Sequence, residues 1–119
     1  METVPIQGIE EIVIEVSDLD RAVAFYQDVI GLRLYSRGPE EAWFRAGDQW
    51  LAVFLKGRGG AIGPHFAFRV AEEDVERARH AMAAYGMAVH TGEYSGGPSV
   101  YICDPDGNRI ELHGKRDAA

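Results

Sequence analysis

Cysteine is nearly absent. Cys103 stands alone, so no internal disulfide can form, and a reducing cytoplasm is the expected compartment. Basic residues are also scarce, 12 Lys+Arg against 19 Asp+Glu for a net charge of −7, and they form no cluster. That balance argues against nucleic acid and anionic membrane as partners. No apolar run is long enough to cross a bilayer. The opening METVPIQG carries neither the basic nor the apolar region of a signal peptide. What is left is ordinary for a globular protein, 46% hydrophobic and 26% charged over 119 residues, and is most simply a single domain, 1–119, with a real core.

Hydrophobic periodicity predicts the same series of elements twice. Ile9 to Val16 alternates as a strand, with Ile12, Ile14 and Val16 opposite Glu11, Val13 and Glu15. Ser17 or Asp18 then caps a helix with Ala22, Phe25, Tyr26, Val29 and Ile30 on one stripe, closed by Gly31. Strands follow near Leu32 to Ser36, Ala42 to Ala46 and Trp50 to Leu55, the last pair turning at Gly47-Asp48. After a glycine-rich linker at about 57–63, His65 to Val70 restarts the alternation. A helix with Val75, Ala78, Met82 and Tyr85 on its stripe ends at Gly86. Strands near Met87 to His90, Ser99 to Cys103 and Arg109 to His113 complete the second half. Laying Glu11 on His65 superposes the two halves, which makes an α+β fold of two βαβββ modules at about 8–56 and 64–114.

One helix can cover only one face of its strands, so the other faces must meet or enclose something. Alternation assigns to them Glu11, Val13, Trp43, Arg45, Trp50, Ala52, Phe54, His65, Arg69, Tyr101, Glu111 and His113. The set is an aromatic cleft with a few charged groups, the usual make-up of a small-molecule site. The last strand, in DPDGNRIELH, faces Glu111 and His113 inward, an expensive pair to bury without a use.

IEEIVIEVSDLDRAVAFYQDVIGL, GDQWLAVFL, HFAFRV and CDPDGNRIELH together resemble the vicinal-oxygen-chelate superfamily, which includes glyoxalase I, extradiol dioxygenases and bleomycin-resistance proteins. The pattern is most similar to its fosfomycin-resistance group. The resemblance implies a half-barrel cleft completed in a swapped homodimer, and a divalent metal (Mn, Fe, Co, Ni or Mg) held by Glu11, His65 and Glu111. It places Trp50, Ser95, Ser99 and Tyr101 at the substrate pocket. Three positions depart from that group: Glu11 replaces a histidine, Val13 a threonine and Thr91 a lysine, so fosfomycin itself is not the expected substrate. The fourth ligand of glyoxalase I would fall near Ala52, which cannot coordinate.

The chemistry implied is that of a metal-dependent isomerase, lyase or ring-opening transferase acting on a small oxygen-rich substrate. Trp43, Trp50, Phe54 and Arg69, with Ser95 and Ser99, would bind it, and Tyr101 would move a proton. A metal-free binding protein that sequesters a small molecule in the same cleft is the competing reading, with Arg45, Arg69 or Arg109 neutralising the glutamates. An iron-dependent dioxygenase is a third, though such sites use two histidines and one glutamate. Elsewhere, Glu15 is expected to meet solvent or Arg69, His80 and His90 to lie on the surface, and His113 on the rim. Cys103 is expected to be buried, and Gly92 to Pro98 to form a mobile lid.

Overall fold

A computed structural model describes residues 3–57, 63–94 and 96–115. By its contacts the chain divides into two compact units: Glu11–His65, and Met1–Glu10 together with Phe66–Ala119. The expected βαβββ order is found twice. The first module runs β1 (Gly8–Val16), α1 (Leu19–Ala24), β2 (Arg33–Arg37), β3 (Glu41–Ala46) and β4 (Gln49–Leu55). The second runs β5 (His65–Ala71), α2 (Val75–Ala84), β6 (His90–Tyr94), β7 (Gly97–Cys103) and β8 (Arg109–Lys115). The division between units falls inside β1, after Glu10, and not at the glycine-rich linker, part of which lies outside the described residues.

In the first unit the strand order is β2-β3-β4-β1, parallel between β1 and β4 and antiparallel elsewhere. Leu19 and Val23 of α1 close over Ala42, Phe44 and Val53, joined by Ile14, Val16, Leu51 and Leu55 from the same face. The alternation was therefore read in the right phase. Asp18 caps α1, its carboxylate accepting from the Arg21 N–H at 3.0 Å. Beyond Ala24 the helix widens into a π-helical stretch, Phe25–Ile30, whose end is marked by the Gly31 N–H donating five residues back to the Tyr26 carbonyl at 3.1 Å. That widening changes the helical phase, so Phe25, Val29 and Ile30 are exposed and do not join the buried stripe expected of them. Gly31 closes the segment at φ 91°, a left-handed conformation that a side chain would strain.

The second unit has the order β5-β8-β7-β6, with β5 and β8 parallel. Its core joins Val75 and Ala78 of α2 to Val70, Val100 and Leu112. Three expectations are corrected here. Tyr85 is 40% exposed, because α2 stops at Ala84 and the tyrosine belongs to the turn. The strand expected near Met87 to His90 begins only at His90. The glycine-rich segment expected as a lid is instead the β6–β7 hairpin, paired from His90↔Tyr101 to Tyr94↔Gly97. Among the described residues no helix is long and apolar enough to cross a membrane.

Candidate metal centre

The faces turned away from the helices carry the chemistry. In Glu11–His65 the register aligns Glu11 with Trp50 and Arg45, and Val13 with Ala52 and Trp43. The three expected wall aromatics form one edge-to-face cluster. Ring centroids are 6.0 Å apart for Trp43–Trp50 and 6.1 Å for Trp43–Phe54. Tyr35, not anticipated, adds a further edge-on contact to Trp50 at 4.9 Å. A register shift between Leu34 and Ser36 displaces it from simple alternation, which is why periodicity missed it.

In the other unit, β8 places Glu111 between Ala67 and Tyr101, and His113 between Arg69 and Ser99. Ser99, 1% exposed, donates its hydroxyl to Glu111 Oε2 at 2.6 Å. His113 Nδ1 lies 2.7 Å from the same hydroxyl. A hydroxyl has one proton to give, so with that proton on Glu111 it is Nδ1–H of His113 that donates to Ser99. The serine expected to face substrate is thus tied to the carboxylate expected to hold metal. His113 is not a rim residue, since its side chain is only 13% exposed. Gly96 packs against it: a Cβ there would stand 3.3 Å from His113 Nε2. Ser95 lies outside the described residues.

His65 Nδ1 is 2.7 Å from the Gly63 carbonyl, which can only accept, so Nδ1 carries a proton and Nε2 is the nitrogen left to ligate. This is the tautomer a metal-binding imidazole adopts when a backbone carbonyl orients it. Glu11 and His65 each offer a ligand atom within 4.8 Å of the other, and Glu111 of the other unit is the third residue of the expected set. Two carboxylates and one imidazole make a hard, oxygen-rich set, which fits a divalent ion such as Mn or Mg better than a thiolate-seeking one.

Two of the three arginines considered as neutralising partners have contacts elsewhere. Arg45 lies over the Trp50 ring at 4.0 Å. Arg69 Nε donates to Glu10 Oε1 at 2.5 Å, and Lys115 Nζ is 3.9 Å from the other oxygen of that carboxylate. Glu10, 4% exposed, is the buried acid that sequence reasoning missed; the signal was its place beside Glu11 in IEEI, on the opposite face by alternation. Glu15 accepts from the Gly57 N–H at 3.1 Å. His80 and His90 are on the surface as expected, whereas Cys103 is exposed and not buried. Tyr101 is 9% exposed and stands directly across from Glu111.

The profile of the Glyoxalase/Bleomycin resistance protein/Dioxygenase superfamily matches residues 8–112. The chain belongs to this superfamily. Among its relatives, the glutathione transferase FosA of Serratia marcescens is 32% identical, the match covering 91% of this chain and 81% of that one. The metallothiol transferase FosB of Lysinibacillus sphaericus is 27% identical over 91% and 82%. The superfamily fold is shared with an extradiol ring-cleaving dioxygenase of B. fuscum (TM-score 0.81, 22% identity), over 98% of this chain and 34% of the dioxygenase. It is shared too with the methylmalonyl-CoA epimerase of Mycobacterium tuberculosis (TM-score 0.74, 19% identity), over 98% and 93%.

Proposed function

We propose that this superfamily member is a metal-dependent enzyme acting on a small oxygen-rich substrate by transfer, lyase or isomerase chemistry. The observation that carries the reading is the set Glu11, His65 and Glu111, with His65 held in the ligating tautomer by Gly63. Its likeness to a glutathione transferase and a metallothiol transferase favours group transfer among these. A divalent ion bound there would supply Lewis acidity toward two neighbouring oxygens of the substrate. Ser99, itself held by His113, keeps Glu111 oriented. Trp43, Trp50 and Phe54 exclude water from one side of the substrate and fix its plane. Tyr101, across β7 and β8 from Glu111, holds or moves a proton at its phenol oxygen. Arg69, proposed at the substrate site, is also the partner of Glu10.

The test is elemental analysis and calorimetric titration of tag-free protein. Stoichiometric binding of Mn or Co is expected, reduced by at least about 100-fold in Glu111→Ala and His65→Ala. No bound metal, together with tight binding of aromatic ligands, would establish the sequestering protein instead.

A further inference from the structure

The open face of Glu11–His65 carries a row that the metal centre does not account for. Strand register sets Glu11 beside Trp50, Trp50 beside Arg45, and Arg45 beside Arg33. Residues directly opposed in a sheet share a face. With strands about 4.8 Å apart, Arg45 lies about 10 Å and Arg33 about 14 Å from Glu11 along the row.

Two guanidiniums directly opposed across a strand pair repel. Neither forms an ion pair with a carboxylate among the described residues, although the chain has 19 acidic residues for 12 basic ones. Arg45 is held instead on the face of Trp50, at 4.0 Å from the ring centroid, which restrains its guanidinium without using up its N–H donors. Beside the two arginines an open cavity of about 410 Å³ is lined by Gly31, Leu32, Arg33, Arg45, Ala46 and Gly47. A paired, preorganised fork of donors next to an open space is the arrangement that takes a carboxylate or a phosphate group.

We propose that Arg33 and Arg45 bind the anionic end of the substrate. The body of that substrate lies over Trp50 and its chelating oxygens reach Glu11. The inference rests on the reading of Glu11 as a metal ligand and names the substrate class for that site. It is an elongated molecule with two neighbouring oxygens at one end and a carboxylate or phosphate about 10 Å away.

Two measurements test it. In the first, metal-free protein is titrated with suberate and with inorganic phosphate, following the Nε–H resonances of Arg33 and Arg45 and the indole N–H of Trp50. Saturable shifts at these positions are expected in the native protein, with the Trp50 indole shift lost in Arg33→Gln/Arg45→Gln, and the tighter anion shows whether carboxylate or phosphate is preferred. The absence of saturable shifts with both anions would overturn the site. In the second, Mn-loaded protein is titrated with suberic acid monohydroxamate and its methyl ester. The acid should bind at least about tenfold tighter, a preference over the ester that Arg45→Gln removes. Equal affinity of acid and ester in the native protein would overturn the proposed reach. A protein that takes up no Mn yet gives the shifts of the first measurement keeps the anion site and loses the metal centre, so the two failures are distinct.

Discussion

Ser99 is buried between an acid and an imidazole and satisfies both with one hydroxyl, Oγ donating to Glu111 and accepting from His113. Removing it leaves Glu111 with one fewer fixed contact and His113 Nδ1 without its acceptor. Ser99→Ala should therefore weaken Mn binding about tenfold or more while Ser99→Thr retains most of it, as titration calorimetry would show. Asp104 is a second residue whose neighbours set its chemistry. The Asn108 side chain donates to it at 2.8 Å, and the backbone N–H groups of Asn108 and Asp106 at 2.8 and 2.9 Å, so its carboxyl titrates below the ordinary aspartate range. A depressed acid stabilises the fold at pH above its unfolded value, and that contribution disappears as pH falls through the folded one. The stability difference between native protein and Asn108→Ala should accordingly be constant at neutral pH and shrink on acidification below the usual aspartate range. A difference that grows on acidification would refute this.

Between elements, the closest approach is at Gly114 of β8. A Cβ there would stand 2.4 Å from Val75 Cγ2 and 3.0 Å from the Glu72 backbone, so β8 can lie under the start of α2 only with glycine at this point. Gly114→Ala should cost about 1–3 kcal/mol in denaturant unfolding. The periodicity of β8 gave no hint of this, because a glycine on a strand reads as a weakness until the backbone above it is seen. The π-helical stretch after α1 was equally hidden: Phe25, Val29 and Ile30 fit an α-helical stripe, and only the Gly31 bond to Tyr26 reveals the changed phase. By contrast, the faces of the strands that pack on a helix were legible, since each is covered on one side only and its apolar residues had to alternate.

For the molecule as a whole, Ile6, Ile12, Phe25, Val29, Ile30 and Tyr35 are each between 47% and 70% exposed, apolar side chain that a partner surface could cover. We propose that a second copy covers part of it, as the swapped homodimer of the resemblance implies. Sedimentation should give twice the chain mass across a wide dilution range, and a monomer throughout would count against the pairing. Alternation and repeat spacing were enough to place the two βαβββ modules and the phase of most strands, because both are local properties carried along the chain, whereas the three candidate ligands came from the family resemblance. Only the tertiary structure decided that Ser99 serves Glu111, that Arg69 serves Glu10 and that Arg33 stands beside Arg45. Those pairings depend on register between strands distant in sequence, and a shift of one residue would have exchanged every partner.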